Sequence, residues 1–312
     1  MGDTADSLVQ VKTQLEKNQG DNITFGIRMR LAGAGVTNDT VLEGNEEKLT
    51  TYSFNTSLSL YRHAVRDNGA LDRKRAMFSI DDESVAALKT WGAEKIDQLC
   101  FDAIGVGSGA TSNPTKVFYR DSSGNNAAGS AATAKAGLHA TNSKLTPNFI
   151  SALKTWAKTG GARSYIPIRP VMVKGREYYI LLVHPDCVFD LKVDSTFQQA
   201  MREAEIRGPE NPLFQGATAI WDGVVIHEHE NCAIATDGGG ASVAWAKCSF
   251  MGAQSLCWGY GQRPEVVDVE FDYKNEHGYG WSLIATVAKP QFNSLDYGSL
   301  GVYLSRTNVS GL

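Results

Sequence analysis

The residues best suited to chemistry form the run His227-Glu228-His229-Glu230. On a β-strand, side chains alternate between the two faces, so His227 and His229 would share a face and could begin a zinc or nickel site. Such a site needs three or four ligands, and this spacing is not the helical HExxH pattern. We therefore interpret the run as solvated residues at a strand edge, and keep a metal-dependent hydrolase using His227 and His229 as an alternative.

Three other clusters resemble parts of active sites without completing one. The run His184-Pro185-Asp186 could pair a general base with a carboxylate, but no GxSxG-type nucleophile accompanies it. The run Gly238-Gly239-Gly240 lacks the lysine that a phosphate-binding loop requires. Asp72-Arg73-Lys74-Arg75 is interpreted as a solvated turn, with a contact to another subunit as the alternative. The sequence thus predicts no catalytic residue, no metal site and no cofactor.

The five cysteines are scattered along the chain: Cys100, Cys187, Cys232, Cys248 and Cys257. Neither a zinc ribbon nor a thioredoxin-type motif fits, since both need closely paired cysteines. We expect buried free thiols in a reducing compartment.

Composition excludes several classes of protein. The 312 residues are 42% hydrophobic and 21% charged, which is enough apolar material for a folded core. A net charge of -4 argues against a primary nucleic-acid ligand. No apolar run approaches the roughly 18 residues of a membrane span, and the N-terminus lacks the basic-then-apolar pattern of a signal peptide. We expect a cytosolic product without a membrane partner.

The N-terminal quarter of the chain predicts a projecting hairpin. Residues 1–22 suggest a mobile arm with a weak helical stripe. Residues 23–31 alternate apolar and polar side chains as a half-buried strand does, and residues 49–65 keep similar spacing. Because a lone hairpin is only marginally stable, these strands are expected to bury their apolar faces against a neighbouring molecule.

A long helix is predicted over 79–104, with Ser79 as its N-cap and Asp82 completing a capping-box pattern. Its 25 or so residues would span roughly 37 Å. Residues 105–145 are mostly small and polar, which predicts either an excursion along a partner surface or disorder, with one anchored strand at 117–119.

The remaining pattern indicates an α+β fold with mostly antiparallel sheet. The predicted elements are a helix opening at Thr146-Pro147, a buried strand at 177–183, a helix at 195–206, strands at 221–230 and 242–250, and a hairpin at 265–288 that turns at 275–278.

Taken in order, several blocks resemble the N4-gp56-type major capsid proteins of tailed phages. These blocks are ITFGIRMRLAGAGVTNDTVLEGNEEKL from residue 23, RHAVRDNG at 62–69, WGAEKIDQLCFDAI at 91–104 and the C-terminal block 252–303. The similarity covers most of 23–303 and is weakest over 105–145. The resemblance rests on the order and extent of the blocks, because no single motif among them is catalytic.

The resemblance implies an HK97-like capsid fold and its division of the chain. Residues 1–22 would be the N-arm and 23–76 the E-loop, which reaches over an adjacent subunit. Residues 77–145 and 262–312 would form the peripheral domain with its spine helix, and 146–261 the axial domain.

The resemblance also implies a non-enzymatic structural protein. Hexamers and pentamers of this chain would form an icosahedral head around double-stranded DNA, with only weak, non-specific DNA contacts. Portal, scaffold and decoration proteins would be its other partners. Assembly would take place in the bacterial cytoplasm, and the product would reside in the virion. A decoration or adhesion module displaying 105–145 remains a further alternative, but the long hairpin and the long helix favour a shell protein.

Overall fold

The computed structural model describes residues 2–13, 16, 19–29, 31, 33, 35–47, 52–110, 112–163, 165–205, 219–239 and 242–309. The helices within these ranges are α1 Ala70–Arg75, α2 Ile80–Ile104, α3 Ala131–Gly137, α4 Pro147–Arg163, α5 Pro185–Val193 and α6 Ser195–Glu205. None of them combines the length and apolarity that crossing a bilayer requires.

The strands in the same ranges, in chain order, are β1 Val9–Lys12, β2 Asn22–Ile27, β3 Tyr52–Ser57, β4 Ser59–Arg66, β5 Val117–Arg120, β6 Asn126–Gly129, β7 Val171–Val173, β8 Arg176–Val183, β9 Ala219–Trp221, β10 Val224–Glu228, β11 Ile234–Gly238, β12 Val243–Met251, β13 Leu256–Phe271, β14 Glu276–Ala288, β15 Gln291–Phe292, β16 Leu295–Asp296 and β17 Ser299–Ser305.

Two large sheets organise the chain. One has the order β1-β13-β14-β4, and the nine-stranded other follows β6-β5-β17-β12-β8-β10-β9, with β11 beside β12 and β7 beside β8. Parallel pairing joins β1 to β13, β8 to β10 and β5 to β17, whereas the other pairings of these strands are antiparallel. The predicted α+β class with mostly antiparallel sheet is confirmed.

The helix predicted at 79–104 is confirmed as α2, and its two ends have clear local causes. The Ser79 hydroxyl accepts a hydrogen bond from the Asp82 amide at 3.3 Å, which satisfies an N-terminal amide. At the other end Gly105 has a φ of 91°, the left-handed conformation that closes helices and favours glycine.

Helix α2 covers one face of the four-stranded sheet. Leu88 is buried against Trp258, Trp281 and Leu283 of β13 and β14. Gly92 lies where α2 crosses Trp281, and a Cβ at that position would be 2.6 Å from the indole nitrogen. The close approach of helix and sheet therefore requires glycine here.

The β13–β14 hairpin is confirmed, but its predicted turn at 275–278 is wrong. Glu276 already pairs with Phe271, and Gly278 pairs with Val269 inside the ladder. The chain instead reverses over Asp272–Lys274, where three successive residues have φ between 47° and 74°. The sequence pattern favoured Gly278 as a turn residue. In the structure Gly278 lies within β14 beside the Phe271 ring, where a Cβ would be 2.7 Å from a ring carbon.

The nine-stranded sheet carries the main core. Helix α4 begins as predicted, with the Thr146 hydroxyl accepting from the Phe149 amide at 3.3 Å. The predicted strands at 177–183 and 242–250 are confirmed as β8 and β12, and 195–206 as α6 up to Glu205. The predicted strand at 221–230 is two strands, because Asp222 and Gly223 turn the chain between β9 and β10.

Much of the segment 105–145 packs on the nine-stranded sheet of its own chain. Strands β5 and β6 extend the nine-stranded sheet beyond β17, which confirms the predicted strand at 117–119. Ala134 and Leu138 of the α3 region pack with Tyr119, Trp245 and Tyr303 in a separate buried cluster. The few large residues of this segment are enough to form a packed cluster, because its small residues let α3 lie close to the sheet.

Three expectations for the N-terminal region are wrong. The arm contains strand β1, which pairs in parallel with Leu256–Gly259. Of the predicted helical stripe Leu8, Val11 and Leu15, Val11 lies in β1 and Leu15 lies outside the described residues. The apolar face of β2 is buried in its own chain, since Ile23 and Phe25 contact Cys257. β2 also ends at Ile27, where its pairing with β3 ends, so the strand predicted over 23–31 is too long.

Candidate functional site

The two histidines of the possible metal site are not joined by further ligands. Strand β10 ends at Glu228, and His229 turns toward α2, with its Nε2 3.1 Å from an Asp97 carboxylate oxygen. Its Nδ1 accepts from the Asn231 amide at 3.1 Å, and its ring stacks on Phe101 with centroids 4.4 Å apart. In the part of the chain that the structure describes, no group of three potential metal ligands occurs.

His184 is a helix cap, not a general base. Its Nδ1 accepts from the Asp186 amide at 3.2 Å and so caps α5, while the Asp186 carboxylate pairs with the buried Arg306. Burial lowers the pKa of His184, Asp186 opposes that shift and Arg306 adds to it. A neutral imidazole is the form that can accept this hydrogen bond.

This cap predicts a pH dependence. Because the folded state lowers the pKa of His184, the unfolded chain binds the proton more readily, and stability is lost as the pH falls below about 6.5. We expect His184→Asn, which keeps a capping acceptor, to lose less unfolding free energy than the wild type between pH 7.5 and 5.5. The maximal slope for one proton is about 1.4 kcal/mol per pH unit. Equal losses in urea titrations would contradict the assignment.

The other two predicted clusters also have structural roles. Asp237, before the triple glycine, pairs with Lys135 of α3 and accepts from the Trp245 indole at 3.0 Å; these bonds lower its pKa. Gly240 lies outside the described residues. Residues 72–75 belong to helix α1 and not to a turn; Arg73 binds Asp67 and the carbonyl of Asn275, which fixes α1 to the β13–β14 turn.

The five thiols are free, as predicted, and all except Cys100 are fully buried. Burial raises the pKa of Cys257 to about 12, so its thiol is protonated at neutral pH. Such thiols are inert packing groups.

Among the described residues we single out three exposed apolar surfaces. The first, here the loop surface, lies between β2 and β3 and contains Leu31, Val41 and Leu42. The second, here the tip surface, contains Leu71, Met77, Phe78 and Tyr273. Hydrogen bonds from Ala70 and Arg73 to Asn275 hold α1, which carries Leu71, beside the β13–β14 turn, which carries Tyr273.

The third surface, here the sheet groove, is on the face of β4, β14 and β13. It is a cavity of about 930 Å³ whose lining includes Leu60, Arg62, Val267, Val269 and Phe271. Exposed apolar side chains that cluster, as those of the sheet groove do, mark sites of protein association. Sequence analysis expected partner contacts from the strands at 23–31 and 49–65, and Leu60 of the sheet groove belongs to the second of them. The tip surface was not predicted, because it forms only when α1 packs beside the β13–β14 turn.

Comparison with known proteins supports the interpretation of these surfaces as sites of protein association. The profile of the phage capsid protein family matches residues 1–303. The major capsid protein of Pseudomonas phage KPP25 is 28% identical over 98% of this chain and 89% of its own length.

Solved structures give the same result. The capsid of Ralstonia phage GP4 is 25% identical with a TM-score of 0.82, covering 99% of this chain and 90% of that one. The capsid asymmetric unit of cyanophage Pam1 is 25% identical with a TM-score of 0.80, covering 98% and 91%. The chain therefore belongs to the phage capsid protein family, has the HK97-like fold, and is a major capsid protein.

Proposed function

We propose that copies of this chain form hexamers and pentamers that close into the icosahedral head of a tailed phage around double-stranded DNA. The observation that carries this proposal is surface area. The chain exposes 17352 Å², whereas a compact monomer of its mass exposes about 12,700 Å². A typical interface removes about 800 Å² per partner, so the excess equals several interfaces.

We further propose the N4-gp56 type and the division expected from it. Residues 1–22 act as N-arm, 23–76 as E-loop, 77–145 and 262–312 as peripheral domain, and 146–261 as axial domain. Strands β2 and β3 pair with each other and β4 pairs with β14, so we propose that the described residues between β2 and β3, such as Leu31, Val41 and Leu42, contact the neighbour.

The protein acts by assembly and not by catalysis. The net charge of -4 suits a shell that holds DNA weakly and without sequence preference. Portal, scaffold and decoration proteins are its further proposed partners, and assembly takes place in the host cytoplasm.

Negative-stain electron microscopy of the purified chain, with light-scattering mass over a concentration series, tests this proposal. We expect closed shells, tubes or capsomer-sized rings. A monomer at every concentration, with about one bound metal ion per chain, would contradict it and favour a hydrolase built on His227 and His229.

A further inference from the structure

Lys116 is a buried cation with little to bind. Its side chain is 1% exposed, and its ammonium group has three donors. One long contact, 3.5 Å to the Ile166 carbonyl, is its only hydrogen bond in the described part of the chain, where no carboxylate lies within 4.0 Å. The Tyr165 ring centroid is 5.9 Å away, at the limit of a cation–π contact. Burying an unpaired charge is costly, so this residue needs an explanation.

Nearby groups do not supply the missing partner. The Asp296 carboxylate accepts from the Thr115 amide at 2.8 Å, from Lys289 at 3.2 Å and from Gln291 at 3.2 Å. Its oxygens therefore already accept from three other donors. It acts on Lys116 only as a nearby negative charge, which opposes the lowering of the Lys116 pKa by burial.

Two other buried lysines are better satisfied than Lys116. Lys289 is 5% exposed, and its ammonium lies 3.2 Å from the Asp296 carboxylate and donates to the Asn113 carbonyl at 3.1 Å. Lys247 is 6% exposed, and its ammonium donates to the Asn113 side-chain oxygen at 2.9 Å.

Lys116 lines a cavity of about 480 Å³, within the usual range of small-ligand sites. Most of the other walls are aromatic or aliphatic: Tyr165, Ile166, Pro167, Phe292, Leu295 and Tyr297. Asn293 and Asp296 complete the lining, and the Asp296 carboxylate is already paired with Lys289 at 3.2 Å. Lys116 is thus the cation of the pocket without a carboxylate partner among the described residues, and mostly apolar walls surround it. This arrangement is complementary to an anion carried on an apolar body, since Lys116 can pair with the charge and the walls can cover the rest.

We propose that this cavity, here the Lys116 pocket, binds a carboxylate attached to an apolar or aromatic group. The carboxylate comes either from a free small molecule or from an acidic segment of a neighbouring copy. Only the second source depends on the proposed assembly function.

The test uses 3-phenylpropionate as the probe and its amide as the matched neutral control, titrated by calorimetry into the unassembled chain at pH 7. We expect the acid to bind at least about tenfold more tightly than the amide. Lys116→Met should remove that preference, and Lys247→Met, which changes a buried lysine outside the pocket, should keep it. Burial lowers the pKa of Lys116 to about 8, so binding of the acid should weaken as the pH rises above that value.

The unfolding midpoint of the unliganded chain is a second readout. Lys116→Met should raise it, because the variant no longer buries an unpaired charge. Acid and amide binding equally, no binding of either, or full binding by Lys116→Met would each overturn the proposal; Lys116→Gln replaces Met if the latter fails to fold.

Repeating the titration on assembled shells distinguishes the two sources. If a neighbouring copy supplies the carboxylate, the probe binds the unassembled chain and not the shells. If the natural ligand is a free molecule, both forms bind the probe.

Discussion

A chain in which residues 31–47 are replaced by a short Gly-Ser linker should fold normally and form no closed shells. The replaced segment carries the exposed Leu31, Val41 and Leu42 and lies beyond the last β2–β3 pair, Ile27 with Tyr52. The hairpin can therefore close without it, because shortening a flexible loop costs little free energy. Shell contacts made by the segment would be lost in every subunit at once.

Circular dichroism and urea unfolding would establish the fold of this variant, and electron microscopy with light scattering its assembly. Replacing Asn38 and Asp39 by serine leaves the apolar residues in place and is the matched control, which should assemble. Closed shells formed by the deletion variant would refute the proposed role of the loop. Removing all of 23–65 would be uninformative, because it also removes β4 from the four-stranded sheet.

Local signals predicted the elements whose causes are local. Helix α2 has its cap, its apolar stripe and its terminal glycine within one stretch of sequence, and the buried strand β8 is a continuous apolar run. The roles of His184 as a helix cap and of Asp237 as an acceptor for the Trp245 indole were not predicted from the sequence.

Contacts between distant segments could not be predicted in this way. Strand β1 pairs with β13, and the buried side chains of Gln10 and Gln254 are hydrogen-bonded at 2.8 Å across almost the whole sequence. The Lys116 pocket combines residues 116, 165–167, 292, 293 and 295–297, so only the folded chain shows that this buried cation has no carboxylate partner within 4.0 Å among the described residues. Periodicity records which face of an element is apolar, but not what covers it.

The contact between α2 and the β13–β14 hairpin provides the second large expected effect. Trp281 is 4% exposed, and its ring meets Trp91 edge-on at 5.4 Å. Truncating a buried tryptophan to alanine costs about 3–5 kcal/mol, through lost burial and the cavity left behind. We expect Trp281→Ala to lower the free energy of unfolding by that amount in urea titrations.

The exposed Tyr273 of the same hairpin is the matched aromatic control. Tyr273→Ala should change the free energy of unfolding by less than about 0.5 kcal/mol, because the side chain has no core contact to lose. A loss below about 1 kcal/mol for Trp281→Ala would mean that α2 is not held by this contact.

Gly92 tests the same contact from the helix side. Gly92→Ala alone should destabilise the protein, because its Cβ would lie 2.6 Å from the Trp281 ring nitrogen. In the Trp281→Ala background the clash is absent and alanine favours the helix, so the same substitution should become neutral or stabilising by up to about 1 kcal/mol. That reversal of sign in a double-mutant cycle depends on direct contact between the two residues. Additive effects would therefore show that α2 and the β13–β14 hairpin do not contact each other at Gly92 and Trp281.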